Sequence, residues 1–365
     1  MGTGRVTIAD VAQAAGVSKG AVSFALNQRP GLAPDTRDRI LRVAAELDWT
    51  PNHRARALST SRALAFGLVV ARPPEVLVED AFFSALIAGI EAGLVDSGYA
   101  LVLQVVTSAH EHDGYRRMAR DGRVDGVLLT DLRTDDSRIP LLQSLGMPAV
   151  TLNRAQSVSP FPAIVLDDKP AVIAAVQHLI DLGHRDIAHV AGPEGYVHGV
   201  ARRTAWAQTL AAAGLPRDQV VQGDFSARGG AGATRWLLDA PSPPSAILYA
   251  NDIMAIAGLA AAHERGLDVP RDLSVVGFDD TPLAAHVHPA LTTARADVFE
   301  WGRAATQALA ALTSGRTQPD VSCPPAELIL RESTGPPNRG PTPAKRHPKT
   351  RAANPSSRSK QGSRK

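Results

Sequence analysis

The 365 residues are 44% hydrophobic and 21% charged, with one cysteine, Cys323, which is enough chain for a small domain plus a two-lobed core and excludes an internal disulfide. No Cys/His cluster has zinc spacing, no cofactor motif is present, and no apolar run reaches membrane-spanning length or forms a leader's core, so a cytoplasmic protein without metal, cofactor or membrane is expected. The net charge of +3 is split unevenly: residues 1–62 hold nine Lys/Arg against five Asp/Glu, the residues after Glu332 hold nine basic and no acidic ones, and 63–332 carry −10, so the ends of the chain suit a polyanion.

In chain order, Ile8, Val11, Ala12 and Ala15 recur at helical spacing behind Thr7, which suits an N-cap. Gly16 supplies a turn, and Ser18 caps a second helix from Lys19 that buries Ala21, Val22, Ala25 and Leu26. Its outward face carries Lys19, Gly20, Ser23, Phe24 and Asn27, as a recognition helix in a major groove would. A third helix starts at Pro34 with an apolar stripe of Ile40, Val43, Ala44 and Leu47. The pattern is a helix-turn-helix domain, and its plain alternative is a three-helix satellite with no ligand. Residues 49–59 follow as a short basic run of helix formers too polar to hold itself folded without a partner surface.

From Ala63 short apolar runs alternate with helical segments, the pattern of βαβ units and parallel sheets. Strands are expected at 65–70, 101–106, 127–129 and 149–152, with helices at 82–95, 115–121 and 139–145. The series restarts with strands at 163–166, 187–191, 220–221, 246–249 and 273–278 and helices at 171–182, 202–213, 231–238 and 253–265. The fold class is an all-α headpiece followed by two doubly wound α/β lobes, with a ligand cleft outside the carboxyl ends of the strands. Residues 334–365, rich in Pro, Ser, Lys and Arg, read as a disordered tail with no heptads.

The run Val6-Thr7-Ile8-Ala9-Asp10-Val11-Ala12 through Leu58 resembles the headpiece and hinge of the LacI/GalR family of bacterial transcription regulators. Residues 63–333 are similar to that family's effector-binding core through Leu182-Gly183-His184-Arg185-Asp186, Ala250-Asn251-Asp252, Val275-Val276-Gly277-Phe278-Asp279-Asp280 and His288-Pro289-Ala290-Leu291-Thr292-Thr293. The resemblance implies a homodimeric repressor that binds a palindromic operator, with a small-molecule effector, a sugar, in the cleft of a periplasmic-binding-protein-like core. It implies lobes of 63–161 with 291–320 and 162–290 with 321–333, after a headpiece of 1–62. It also implies that Leu58 wedges into the minor groove, that Asn52, Ala55 and Arg56 belong to the hinge, and that Thr7 and Ser18 join the outward face of the second helix on DNA. Phe24 stands where many members carry a base-reading arginine; it cannot donate a hydrogen bond but can pack on a thymine methyl. Ala33 stands where a serine usually caps the third helix.

For the effector, Arg202 offers a rigid fork of donors suited to paired hydroxyls or a carboxylate, and Asn251 and Asp279 end strands of the second lobe where an open sheet presents ligand groups. Their plain alternatives are a surface arginine and loop caps. The resemblance adds Phe225 as a stacking face, His198 in the same loop as Arg202, and Phe82 or Phe83 at the cleft mouth, with core packing as the alternative for either phenylalanine; Asp167 follows the crossover strand, where it can pair with Arg202 or, as the plain alternative, cap a helix. A purine effector needs Phe82 or Phe83 to face the cleft. A solute-binding protein and a two-lobed enzyme are the other readings; Gly229-Gly230-Ala231-Gly232 lacks dinucleotide spacing and no nucleophile elbow is present, so no catalytic residue is expected.

Overall fold

In a computed structural model, residues 6–26, 30–49, 62–95, 97–155 and 158–338 are described. The headpiece holds α1 (Ile8–Ala15), α2 (Lys19–Leu26) and α3 (Pro34–Glu46) around a core of Val11, Ala12, Ala15, Val22, Ala25, Ile40 and Ala44. The local chemistry explains the boundaries. Asp10 reaches back to accept from the Thr7 backbone and hydroxyl, both at 2.8 Å, Gly16 takes φ 64° at the end of α1, and Ala21 N donates to Ser18 Oγ at 3.1 Å. Ala33 caps α3 with no side-chain bond and leaves the work to Pro34. Ala21, Leu26, Val43 and Leu47 pack against this core while only partly buried.

The first lobe is a six-stranded parallel sheet in the order β11-β5-β4-β3-β1-β2, from β1 (Ala65–Val70), β2 (Ala100–Val105), β3 (Gly126–Leu129), β4 (Ala149–Leu152), β5 (Ala163–Val165) and β11 (Val321–Ser322). The second runs β12-β10-β9-β8-β6-β7, from β6 (Ile187–Ala191), β7 (Val220–Gln222), β8 (Ala246–Tyr249), β9 (Ser274–Phe278), β10 (Thr292–Arg295) and β12 (Glu327–Ile329), with β12 alone antiparallel. Every residue of β1, β3, β4, β6, β8 and β9 is buried, because helices cover both faces of each sheet. Those helices are α4 (Pro74–Glu79), α5 (Ala81–Leu94), α6 (Glu111–Arg120), α7 (Arg138–Ser144), α8 (Lys169–Asp181), α9 (Val197–Ala212), α10 (Ala227–Leu238), α11 (Asp252–Glu264) and α12 (Val298–Thr313). No described helix is long and apolar enough to cross a membrane.

The strand memberships correct the expected lobe crossings at 162, 291 and 321. β5 stays in the first sheet beside β4, β10 stays in the second beside β9, and β11 returns to the first beside β5, so the chain crosses after β5, after β10 and after β11. Three helices also begin earlier than their apolar spacing places them, at Glu111, Val197 and Ala227, since their first turns are polar, glycine-bearing or only half-buried. Two helices, α4 and α12, were not expected at all. α4 begins at Pro74, and its Val76 enters the apolar core of the second lobe while Leu77 packs on that of the first.

Candidate functional site

In the headpiece, Lys19 and Gly20 are exposed at the start of α2, Ser23 is half-buried and Phe24 is 40% exposed, which gives one outward face on the helix that follows the turn. Thr7 and Ser18 sit at the starts of α1 and α2 with their oxygens engaged in capping. Asn27, Asn52, Ala55, Arg56 and Leu58 lie outside the described residues.

The core brings the other candidates together. A cavity between the carboxyl ends of the two sheets is lined by Phe82, Phe83, His198, Arg202, Phe225, Asn251 and Asp279, all seven expected residues, and also by Arg72, Asp80, Asp131, Asn153, Asp168 and Trp301. Its atom-free space is about 710 Å³ including the open mouth, but the cavity proper is only about 50 Å³. That is room for a few waters, so a sugar ring requires the lobes or side chains to give.

The backbone aims these groups. Asp131 follows β3 with φ 52°, Asn153 follows β4 with φ 74°, Phe225 follows β7 with φ 66° and Asp279 follows β9 with φ 118°. Non-glycine residues in this region are strained and cluster at ligand sites. Gly192 is required opposite Phe225, because a Cβ there would fall inside the phenyl ring.

The polar groups divide into pairs. Arg72 grips Asp131 with two bonds of 2.7 and 3.0 Å and faces the rings of Tyr196 and Phe225 at 4.2 and 4.9 Å across the cleft. Arg202 donates to Asp168 at 2.8 Å and to the Ala250 carbonyl at 2.6 Å, with its guanidinium 3.5 Å from the centre of the Phe278 ring. The expected partner Asp167 instead accepts from Lys169 N at 3.1 Å in the turn that leads into α8, whose N-cap position is held by Asp168. His198 lies on the first turn of α9, not in a loop, one helical turn before Arg202. Asn251 is buried and bonded through both side-chain heteroatoms: Oδ1 caps α11 by accepting from Met254 N at 3.1 Å and Nδ2 donates one hydrogen to Phe225 O at 3.2 Å. Its plain alternative as a cap therefore holds, and it meets the cavity with one remaining amide hydrogen.

Burial sets the protonation states. It pushes His198 down to about 3, with Arg202 and Arg72 adding and Asp131 opposing, so the imidazole is neutral. It pushes Asp168 up against the opposing charge of Arg202. Asp131 is pushed up by burial as well, but Arg72 outweighs that and holds it below the ordinary range. Asp279 stands well above the usual carboxylate range through burial and the charge of Asp80.

On the aromatic side, Phe82 and Phe83 meet edge to face at 5.2 Å, and Phe82 and Trp301 at 6.3 Å. Both phenylalanines thus pack in the first-lobe core and border the cavity. Of the lining residues not expected from the sequence, Arg72, Asp131 and Asn153 lie just past apolar strand runs, where the strand-end rule applied to the first lobe finds them, whereas Asp80 and Asp168 hold helix N-cap positions and Trp301 lies within a helix, and no strand-end signal marks them.

Comparison with known proteins agrees with this geometry. The profile described as bacterial regulatory proteins, lacI family, matches residues 7–52, and the periplasmic binding protein-like domain profile matches 176–334. The HTH-type transcriptional regulator CelR of Thermobifida fusca is 34% identical over 334 residues, covering 90% of this chain and 98% of that one. A structure of a transcriptional regulator CelR-cellobiose complex has TM-score 0.69 at 33% identity, covering 90% and 100%. The lac repressor dimer bound to operator and the anti-inducer ONPF has TM-score 0.76 at 29% identity, covering 91% and 100%.

Proposed function

The chain belongs to the lacI family of bacterial regulatory proteins and is a DNA-binding transcriptional regulator, and on that premise we propose that it is a cytoplasmic homodimeric repressor whose operator affinity is set by a sugar in the interlobe cleft. One observation carries the sugar assignment. The cavity joins carboxylates and guanidinium nitrogens from both lobes to the aromatic faces of Phe82, Phe225 and Trp301, and a hydroxyl-rich ring satisfies both kinds of surface. The likeness to a cellobiose complex supports it.

Arg202, Asn251, Asp279, His198 and Phe225 from the second lobe and Phe82 and Phe83 from the first are assigned to the ligand; Thr7, Ser18, Lys19, Gly20, Ser23, Phe24, Asn27, Asn52, Ala55, Arg56 and Leu58 are assigned to DNA. Residues 1–62 form the DNA-binding domain in this reading, and no catalytic residue is assigned. Two-fold symmetry of the protein requires a palindromic site. A ligand acts as a switch only if it binds two core conformations with different affinity, and the tight cavity described above is one such conformation.

A purine is the second reading, favoured because Phe82 and Phe83 do border the cavity. Their mutual angle of 85° offers no parallel pair of faces to sandwich a base, which ranks it below the sugar. Calorimetry on a panel of neutral mono- and disaccharides and nucleobases, paired with gel shifts on DNA upstream of the gene, tests both. A sugar that binds and changes the gel shift is expected; tight purine binding with no sugar response overturns the assignment.

A further inference from the structure

We propose that the cleft selects an uncharged or cationic polyol and rejects anionic sugars, because Asp80 of the first lobe and Asp279 of the second face one space with no cation of their own. This rests on the sugar reading and adds to it the charge of the ligand and a further specificity-determining residue, Asp80.

The argument is a charge count. Four carboxylates and two guanidinium groups line the cavity. Arg72 is matched by Asp131 and Arg202 by Asp168, each pair within one lobe, and His198 is neutral. Outside the cavity, Asp280 is held by Arg331 and Arg295, and Asp252 accepts from Thr281 and Thr293. What remains is Asp80, whose Oδ1 accepts from Phe82 N at 3.0 Å as the cap of α5, and Asp279, whose carboxyl has no hydrogen bond or ion pair among the described residues. A ligand between them must bring donors, as hydroxyls or an ammonium do. A carboxylate or phosphate adds a third negative charge. Arg72 Nη1 and Arg202 Nη2 keep a hydrogen for a ligand oxygen, but the charge of each is already offset. The upward displacement of both carboxyls agrees, with burial the first cause for each: for Asp279 the charge of Asp80 comes second, Arg202 opposing and Asp252 and Asp168 adding, while for Asp80 the Phe82 amide, Arg72 and Arg202 oppose and Asp131 adds.

Asp80→Asn and Asp279→Asn test this conservatively, since asparagine also caps helices and tolerates positive φ. Calorimetry at fixed salt and pH 7.5 compares glucose, glucosamine and glucuronate. The expected result is glucuronate weaker than glucose by about tenfold or more, with a narrower gap in Asp80→Asn; glucuronate binding as tightly as glucose overturns the charge rule and leaves the sugar reading standing. Binding of none of the three, nor of any neutral disaccharide of the panel above, counts against the sugar reading, and the charge rule is then decided without ligand. Burial alone makes the melting midpoint of each variant gain on the parent as pH rises from 5 to 8, but if the two carboxylates also repel each other the gain of the Asp80→Asn/Asp279→Asn double variant falls short of the sum of the single gains, because either asparagine already removes the shared repulsion. Gains that simply add at every pH overturn the proposal.

Discussion

Replacing Arg202 by alanine strands a buried carboxylate, and the structure sets the size of the loss. Asp168 is 5% and Arg202 11% exposed, so water cannot take over the guanidinium's role, and breaking such a pair costs about 3–5 kcal/mol. The Ala250 carbonyl also loses its donor, about 1 kcal/mol. A limit comes from protonation: Asp168 is already raised by burial against the opposing Arg202 charge, and without Arg202 it rises further and accepts a proton when that is cheaper than staying ionised. Because its folded value exceeds its unfolded one, the penalty is absent below about pH 4, grows as pH climbs toward the folded value, and then levels off. Urea denaturation at pH 5 and 7.5 should therefore show a larger loss at pH 7.5, and Asp168→Asn combined with Arg202→Ala should recover part of it. Parent-like stability of Arg202→Ala, or a double variant no more stable than the single one, would refute the pairing argument.

Three other outcomes follow from particular contacts. Phe24→Arg places a bidentate donor on the exposed face of α2 and should change the preferred half-site by about 1–3 kcal/mol per altered contact; selection from random DNA that returns the parent's site removes Phe24 from the readout. Gly89→Ala drives a Cβ into the Phe299 carbonyl where α5 packs on α12, and should destabilise the first lobe by about 1–3 kcal/mol or more, measured by thermal unfolding. His189, fully buried beside Trp206 with one ring nitrogen bonded to Leu248 O, is lowered to about 4 by burial. Its contribution is present above about pH 6.5 and is lost as pH falls toward 4, up to about 3 kcal/mol; His189→Leu should flatten that stretch of the stability curve, and an unchanged slope counts against it.

What the sequence shows most directly is what neighbours along the chain decide. The turn at Gly16, the caps at Thr7 and Ser18, the uncapped Ala33 and the six fully buried strands each depend on residues within a few positions, and all are found where they are expected. The lobe crossings depend on which sheet captures β5, β10 and β11, strands of three, four and two residues; β5 and β10 join the strand just before them and β11 joins β5 far back in the chain, and strands this short carry no mark of their partner. The cavity shows the same division. Residue types at strand ends point to Asn251 and Asp279, and the donor fork of an arginine at a helix start points to Arg202, but the pairing of Arg72 with Asp131 spans 59 positions, and the choice of Asp168 over Asp167 turns on a single residue of rotation at the start of α8. His198 reads as a loop residue because the first turn of α9, Val197-His198-Gly199-Val200, contains a glycine and an exposed valine and so hides the true start of the helix.

The contacts that cross the cleft bear on how a ligand could act. Val76 of α4 inserts into the second-lobe core, worth about 1.5–3 kcal/mol if fully buried. Arg133 forms a bridge to Tyr196, Thr134 N donates to Gly195 O at 3.0 Å, Val197 N to Leu132 O at 2.8 Å, and Ala227 N to Glu79 Oε2 at 3.1 Å. Each such hydrogen bond is worth about 1 kcal/mol net. Against them stand the ionised or proton-burdened carboxylates of Asp80 and Asp279 from opposite lobes. The contacts across the cleft come to a few kcal/mol, the same order as the roughly 5.5 kcal/mol of differential affinity that shifts a two-state equilibrium from 1:99 to 99:1. A polyol that donates to both aspartates supplies such a difference, because those donors bridge the lobes only when the cleft is closed.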